Sequence, residues 1–179
     1  MTINPRGRSN IVAAEPIAVL RPLRQSDGEA IARWYDKAVV LAGERRSLGD
    51  RAILRQAQDE RILSSARGEP VEPRAGNEAA CLVVTSGDSQ DPIGLLVVAR
   101  DDPEDGWATV ALLAIAAPEQ RDLAAEGVAL LETDLGQETT RIRAAVPADV
   151  GLALYFWLRL GYRPTAAGER LWMMRDLDA

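Results

Sequence analysis

GWATVALLAIAAPEQRDLAAEGVALLETDLG, residues 106–136, is the stretch whose reading decides the fold. An apolar run from Val110 to Ala117 is closed by Pro118, and after a short polar turn an Ala/Leu-rich segment continues with helical spacing. The pattern predicts a strand, a tight turn and a helix. The run alternates too little to leave one face wet, so the strand is expected at the centre of a sheet, covered on both sides. In the helix, Leu123, Val128, Leu130, Leu131 and Leu135 form the apolar stripe. Glu126, Glu132 and Asp134 fall on the solvent side, and Gly136 stands where a C-terminal cap belongs. A strand running into a helix offers unpaired N–H groups and the positive end of a dipole, where an anion such as a phosphate can bind.

Outward from this stretch, 179 residues make one domain large enough to bury a normal core without staples. With 47% hydrophobic and 27% charged residues the composition is that of a soluble globular protein. A net charge of -6 argues against a general nucleic-acid surface, which needs a basic excess, and is compatible with a cationic substrate. Cys81 is alone in an apolar segment, so it reads as a small buried hydrophobe and no disulfide framework exists. The chain has no histidine, which excludes Ser-His-Asp and Cys-His mechanisms and any His-ligated metal site; no metal is expected. No signal-peptide-like or membrane-spanning apolar run is present, and the cytoplasm is the expected location.

In chain order, residues 1–15 read as a disordered extension and 16–179 as the single domain. Ile17 to Leu23 is the first strand; Ser26 and Glu29 form a capping box that starts a helix, with Ile31, Trp34, Tyr35, Ala38 and Leu41 at helical spacing. A second helix is expected up to about Ser64, followed by a Gly/Pro/Glu-rich loop, Ala66 to Asn77, with little to bury. This part, about 53–76, resembles the translated palindromic repeats of some GC-rich bacterial genomes: Arg55-Gln56-Ala57 can be encoded so that the complementary strand reads Glu69-Pro70-Val71. Ala80 to Thr85 and Ile93 to Ala99 form an antiparallel hairpin through GDSQDP. After the central strand and its helix come a strand at Arg141 to Val146, a helix at Val150 to Leu160 stopped by Gly161, and a hairpin of Tyr162 to Thr165 with Leu171 to Leu177.

LLAIAAPEQR and the small-residue helix after it resemble the core motif of the GCN5-related N-acetyltransferases, the GNAT superfamily. LRPLRQSDGEAIARWY (residues 20–35) is similar to that family's first strand and helix, ALYFWLRLGYRP (153–164) to its last helix and following turn, and RLWMMRDL (170–177) to its closing strand. The resemblance covers most of the chain in order. It implies an α/β fold of the α+β type: a mixed, mostly antiparallel twisted sheet of about seven strands flanked by about four helices.

It also implies transfer of an acetyl group from acetyl-CoA to an amine of a small molecule or peptide, by direct attack of the amine on the thioester. Main chain at Ala114, Ile115 and Ala116 would hold the pantetheine arm, where the family splays two strands apart. The pyrophosphate loop of the family runs Arg or Gln, two residues, Gly, one residue, Gly or Ala. Counted from Arg121, that pattern meets Ala124 and Glu126; counted back from Leu130-Leu131, it meets Asp122, Ala125 and Gly127. Either way a carboxylate enters the loop, which costs electrostatic energy beside a pyrophosphate. Trp157 stands where the family most often has a tyrosine acid, and an indole cannot serve as one. The catalytic acid is thus unassigned, with Tyr155, two residues earlier, the one candidate; Glu104 and Asp105 read as a solvated turn. These departures leave a second reading open, a catalytically degenerate GNAT-like binding or regulatory module. A homodimer is compatible with either, and no nucleic-acid or membrane partner is expected. An unrelated α/β hydrolase is excluded by the missing histidine and nucleophile elbow.

Overall fold

The computed structural model describes residues 17–44, 79–87, 89–136, 139–147, 149–167 and 170–177. The expected N-terminal extension, the second helix and the Ala66 to Asn77 loop lie outside the described residues. Among those described, eight strands form one sheet: β1 (Ala18–Pro22), β2 (Val39–Ala42), β3 (Ala79–Ser86), β4 (Gly94–Arg100), β5 (Trp107–Ile115), β6 (Arg141–Val146), β7 (Arg163–Ala167) and β8 (Arg170–Asp176). Three helices accompany them: α1 (Asp27–Tyr35), α2 (Arg121–Leu135) and α3 (Gly151–Arg159). The sheet order is β1-β3-β4-β5-β6-β8-β7, with β2 pairing onto β5 off that path. All neighbours are antiparallel except β5 and β6.

β5 is central as its apolar run requires. Leu113 and Ile115 join the core shared with Val128, Leu131 and Leu135 of α2 and with Phe156 and Trp157 of α3. Ala114 points to the other face, where Ile31 and Tyr35 of α1 pack with Val83 and Leu95. Strand alternation sends successive residues to opposite faces, so a strand covered on both sides has no use for a polar residue in its middle. Ala111 is the exception: Val97 pairs with Leu112 and Val98 with Val110, which leaves Ala111 as an unpaired, exposed bulge residue.

The helix after β1 departs from its expected form at both ends. Ser26 makes no side-chain cap bond. Asp27 takes over instead, accepting the Arg24 N–H at 2.7 Å and both terminal nitrogens of Arg21, at 2.7 and 2.8 Å. At the other end the helix stops at Tyr35; of the two later residues that the spacing assigned to it, Ala38 precedes β2 and Leu41 lies within it. Val39-Val40 is a β-branched pair that suits a strand, and the open edge of β5 offers it partners that a helix would not use. That extra strand raises the count from about seven to eight. Gly136 also differs from expectation: its φ of -58 is helical, so it does not supply a left-handed cap.

Candidate functional site

β5 and β6 run parallel in register only from Trp107 opposite Arg141 to Val110 opposite Ala144. Beyond that point β5 continues to Ile115 without β6, which keeps β8 as its antiparallel partner on the other edge from Arg141 opposite Asp176 to Val146 opposite Leu171. The two strands open a wedge, its apex beside the Ala111 bulge. β2 fills it. Val39 pairs with Ile115, Val40 with Ala114 and Ala42 with Leu113, while the Gly43 N–H donates to the Ala145 carbonyl of β6 at 2.7 Å. Gly43 holds a φ of +76, and a methyl group added there would overlap the Ala111 carbonyl oxygen, so both the conformation and the close approach call for glycine. Leu41 and Ala42 are fully buried.

Ala114 and Ile115, expected to offer main chain to a pantetheine arm, therefore have that edge paired with β2, and the Ala116 N–H donates to the Ile93 carbonyl at 2.9 Å. Past them the chain makes a single 3-10 turn, Pro118–Gln120, and enters α2. The Gln120 side-chain oxygen accepts the Ala117 N–H at 3.0 Å, which fixes the turn. Arg121 opens the helix, and Arg159 from the last turn of α3 reaches Asp122 at 3.5 Å. Two guanidiniums thus flank the positive end of the α2 dipole, with Asp122 between them and Glu119 exposed on the turn.

The donors a helix leaves unpaired are those of its first turn. Of the expected residues only Arg121 belongs there, and its N–H already donates to the Pro118 carbonyl as the 3-10 turn closes; Ala124, Ala125 and Gly127 lie beyond it, inside the helix. Gly127 packs against the sheet: a Cβ on it would stand 2.9 Å from a methyl of Val84. Glu126 does not face the turn either, because its carboxylate accepts the Ala18 N–H of β1 at 2.7 Å. Of the carboxylates counted into the loop, only Asp122 remains at the helix start, and it is paired.

On α3 the two aromatic candidates separate. Tyr155 is 58% exposed on the outer face, away from the core. Trp157 is fully buried, stacked edge-on with Phe156 and Tyr162, and its indole N–H donates to the Leu41 carbonyl of β2 at 2.6 Å. The residue in place of the family's acid thus holds the strand in the wedge.

Two groups of residues were not visible in the sequence pattern. Glu132, assigned to the solvent side of α2, has a side chain only 12% exposed. It accepts the Tyr162 O–H at 2.7 Å and an Arg175 N–H of β8 at 2.8 Å. Burial, then the charge and hydrogen bond of Glu132, push the Tyr162 phenol up, so it stays protonated and structural. On the sheet face opposite α2 and α3, the Arg143 guanidinium lies 4.2 Å from the centre of the Trp172 ring, and Arg141 lies 4.7 Å from that of Trp107. Arg143 also donates to Thr109 Oγ1 at 2.8 Å. Only the cross-strand register brings these residues together. Glu104 and Asp105 are exposed in the turn before β5.

No protein-family model and no curated protein sequence matches the chain. Solved structures do. An acetyltransferase from Thermus thermophilus superposes with a TM-score of 0.63 at 23% identity, over 89% of this chain and 97% of that one. A GNAT-family acetyltransferase from Staphylococcus aureus gives a TM-score of 0.54 at 14% identity, over 89% and 99%. An aminoglycoside acetyltransferase in complex with coenzyme A gives 0.53 at 14%, over 89% and 94%. Sequence identities this low carry architecture and nothing finer: the chain has the fold of the GCN5-related N-acetyltransferases.

Proposed function

We propose that the chain transfers an acetyl group from acetyl-CoA to an amine of a small molecule or peptide. One observation carries this reading: a parallel strand pair that splays apart and runs directly into a helix N-terminus flanked by Arg121 and Arg159. The turn end suits a pyrophosphate, since oriented N–H groups, the helix dipole and two guanidiniums all favour negative charge there. Asp122 opposes this, and its pairing with both arginines reduces the opposition. The wedge suits an extended arm with amide groups, which can pair with the edge of β5 at Leu113 to Ile115 once β2 no longer does.

Bound acetyl-CoA would supply an activated thioester carbonyl. The chain's own contribution is placement: the bulge at Ala111 breaks the β4–β5 ladder at the wedge apex, where main-chain N–H groups can face a developing oxyanion. No buried side chain of the described site is poised as an acid, because Trp157 is engaged with Leu41 and Tyr155 lies outside the core.

A second reading, a GNAT-like module that binds or regulates without efficient catalysis, is favoured by Trp157 in the acid's place and by β2 in the wedge. Calorimetric titration with acetyl-CoA, followed by an assay for thiol release with simple amines, separates the two. Binding with turnover supports the transferase, binding without turnover the module, and no binding at millimolar acetyl-CoA overturns the transferase reading.

A further inference from the structure

We infer that β2 is a gate over the proposed acetyl-CoA site, an autoinhibitory strand that must leave the wedge before a thioester arm can enter. The inference rests on the proposed function, because it takes the edge of β5 at Leu113 to Ile115 as the arm's place. That edge has one set of N–H and C=O groups, and β2 uses it: Val39, Val40 and Ala42 stand opposite Ile115, Ala114 and Leu113. A second extended chain cannot pair with the same edge, so strand and arm exclude each other.

β2 is placed as an addition to the sheet. The path β1-β3-β4-β5-β6-β8-β7 is continuous without it, and its four residues follow closely on α1. Two fastenings hold it. At the apex, Gly43 bridges to β6 through the Ala145 carbonyl and passes so close to Ala111 that no side chain fits. Midway, the Trp157 indole donates to the Leu41 carbonyl, a bond buried from water. Trp157 is therefore a positioning residue whose hydrogen bond exists only while the gate is shut. The apparent affinity for acetyl-CoA falls by the fraction of molecules that are open, so weakening either fastening raises it.

The test compares the unaltered chain with Trp157→Phe and Gly43→Ala by calorimetric titration with acetyl-CoA, and follows backbone hydrogen exchange in the unaltered chain. Trp157→Phe leaves a buried carbonyl unpaired in the shut state alone, and is expected to tighten binding about fivefold, roughly the effect of one net hydrogen bond. Gly43→Ala, strained at its φ and overlapping Ala111 only when shut, is expected to tighten it at least as much. At saturating acetyl-CoA, exchange in residues 38–43 of the unaltered chain should accelerate while 113–115 stay protected by the arm. Should acetyl-CoA bind with residues 38–43 as slow to exchange as before, the gate is overturned, while the proposed function stands if thiol release accompanies that binding. Absence of binding by every folded form, the two variants included, overturns both. If Trp157→Phe fails to fold, Gly43→Ala and the exchange measurement still decide.

Discussion

Asp27 binds Arg21 through both carboxylate oxygens and also accepts the Arg24 N–H, and the Arg21 hydrogen bonds hold its carboxyl below the usual carboxylate range against the opposing effect of burial. A group whose folded pKa is depressed adds stability that is complete above its unfolded value, near 4, and is lost as pH falls through the lowered folded value. Asp27→Asn is accordingly expected to destabilise the fold at neutral pH by about 3 kcal/mol, because Arg21 is left buried without its partner. It should also flatten the fall in stability below about pH 4. Chemical denaturation of both proteins across pH 2–7 checks this. Glu126 gives a second residue-scale prediction. Its carboxylate holds the start of β1 and not a phosphate, so Glu126→Ala should lower stability by about 2 kcal/mol and leave acetyl-CoA affinity unchanged; tighter binding in the variant would show that the carboxylate faces the ligand.

Elements whose determinants are local were legible in the sequence. The Arg141 to Val146 strand has its expected bounds because its alternation is strict, with Ile142, Ala144 and Val146 buried, and Gly161 ends α3 with a φ of +88 as a stop should. β2 was not legible. Spacing from Ile31 to Leu41 fits a helix equally well, and what makes Val39 to Ala42 a strand is the open edge of β5, some seventy residues later in the chain. Glu132 was misplaced for the same reason, since helical periodicity cannot anticipate Arg175 arriving on β8. Gly127 combines both kinds of information: the sequence singles it out, but its purpose is contact between α2 and β3. Gly127→Ala should destabilise by about 1 kcal/mol net, the crowding of Val84 outweighing the gain in helix propensity. A stabilised variant in thermal melts would show that α2 can shift away at little cost.

At the scale of the whole molecule, a mixed, mostly antiparallel sheet was legible through the resemblance that residues 106–136 and three further segments carry, and the neighbouring structures bear out that architecture; the order of the strands came from the structure alone. The chemistry was less legible because it rests on backbone: N–H groups at a bulge, a turn and a helix start are nearly independent of side-chain identity, so the sequence identified their neighbourhood and not their availability. Packing then decides what is available, and here it closes the wedge with the chain's own strand. The central claim, that the wedge and turn form an acetyl-CoA site, is tested most directly by titrating the full chain with acetyl-CoA while recording its melting temperature. A site on the folded state predicts saturable heat and a rise in melting temperature that follows mass action, growing with the logarithm of ligand concentration above the dissociation constant. No heat and an unchanged melting temperature at millimolar acetyl-CoA would contradict it.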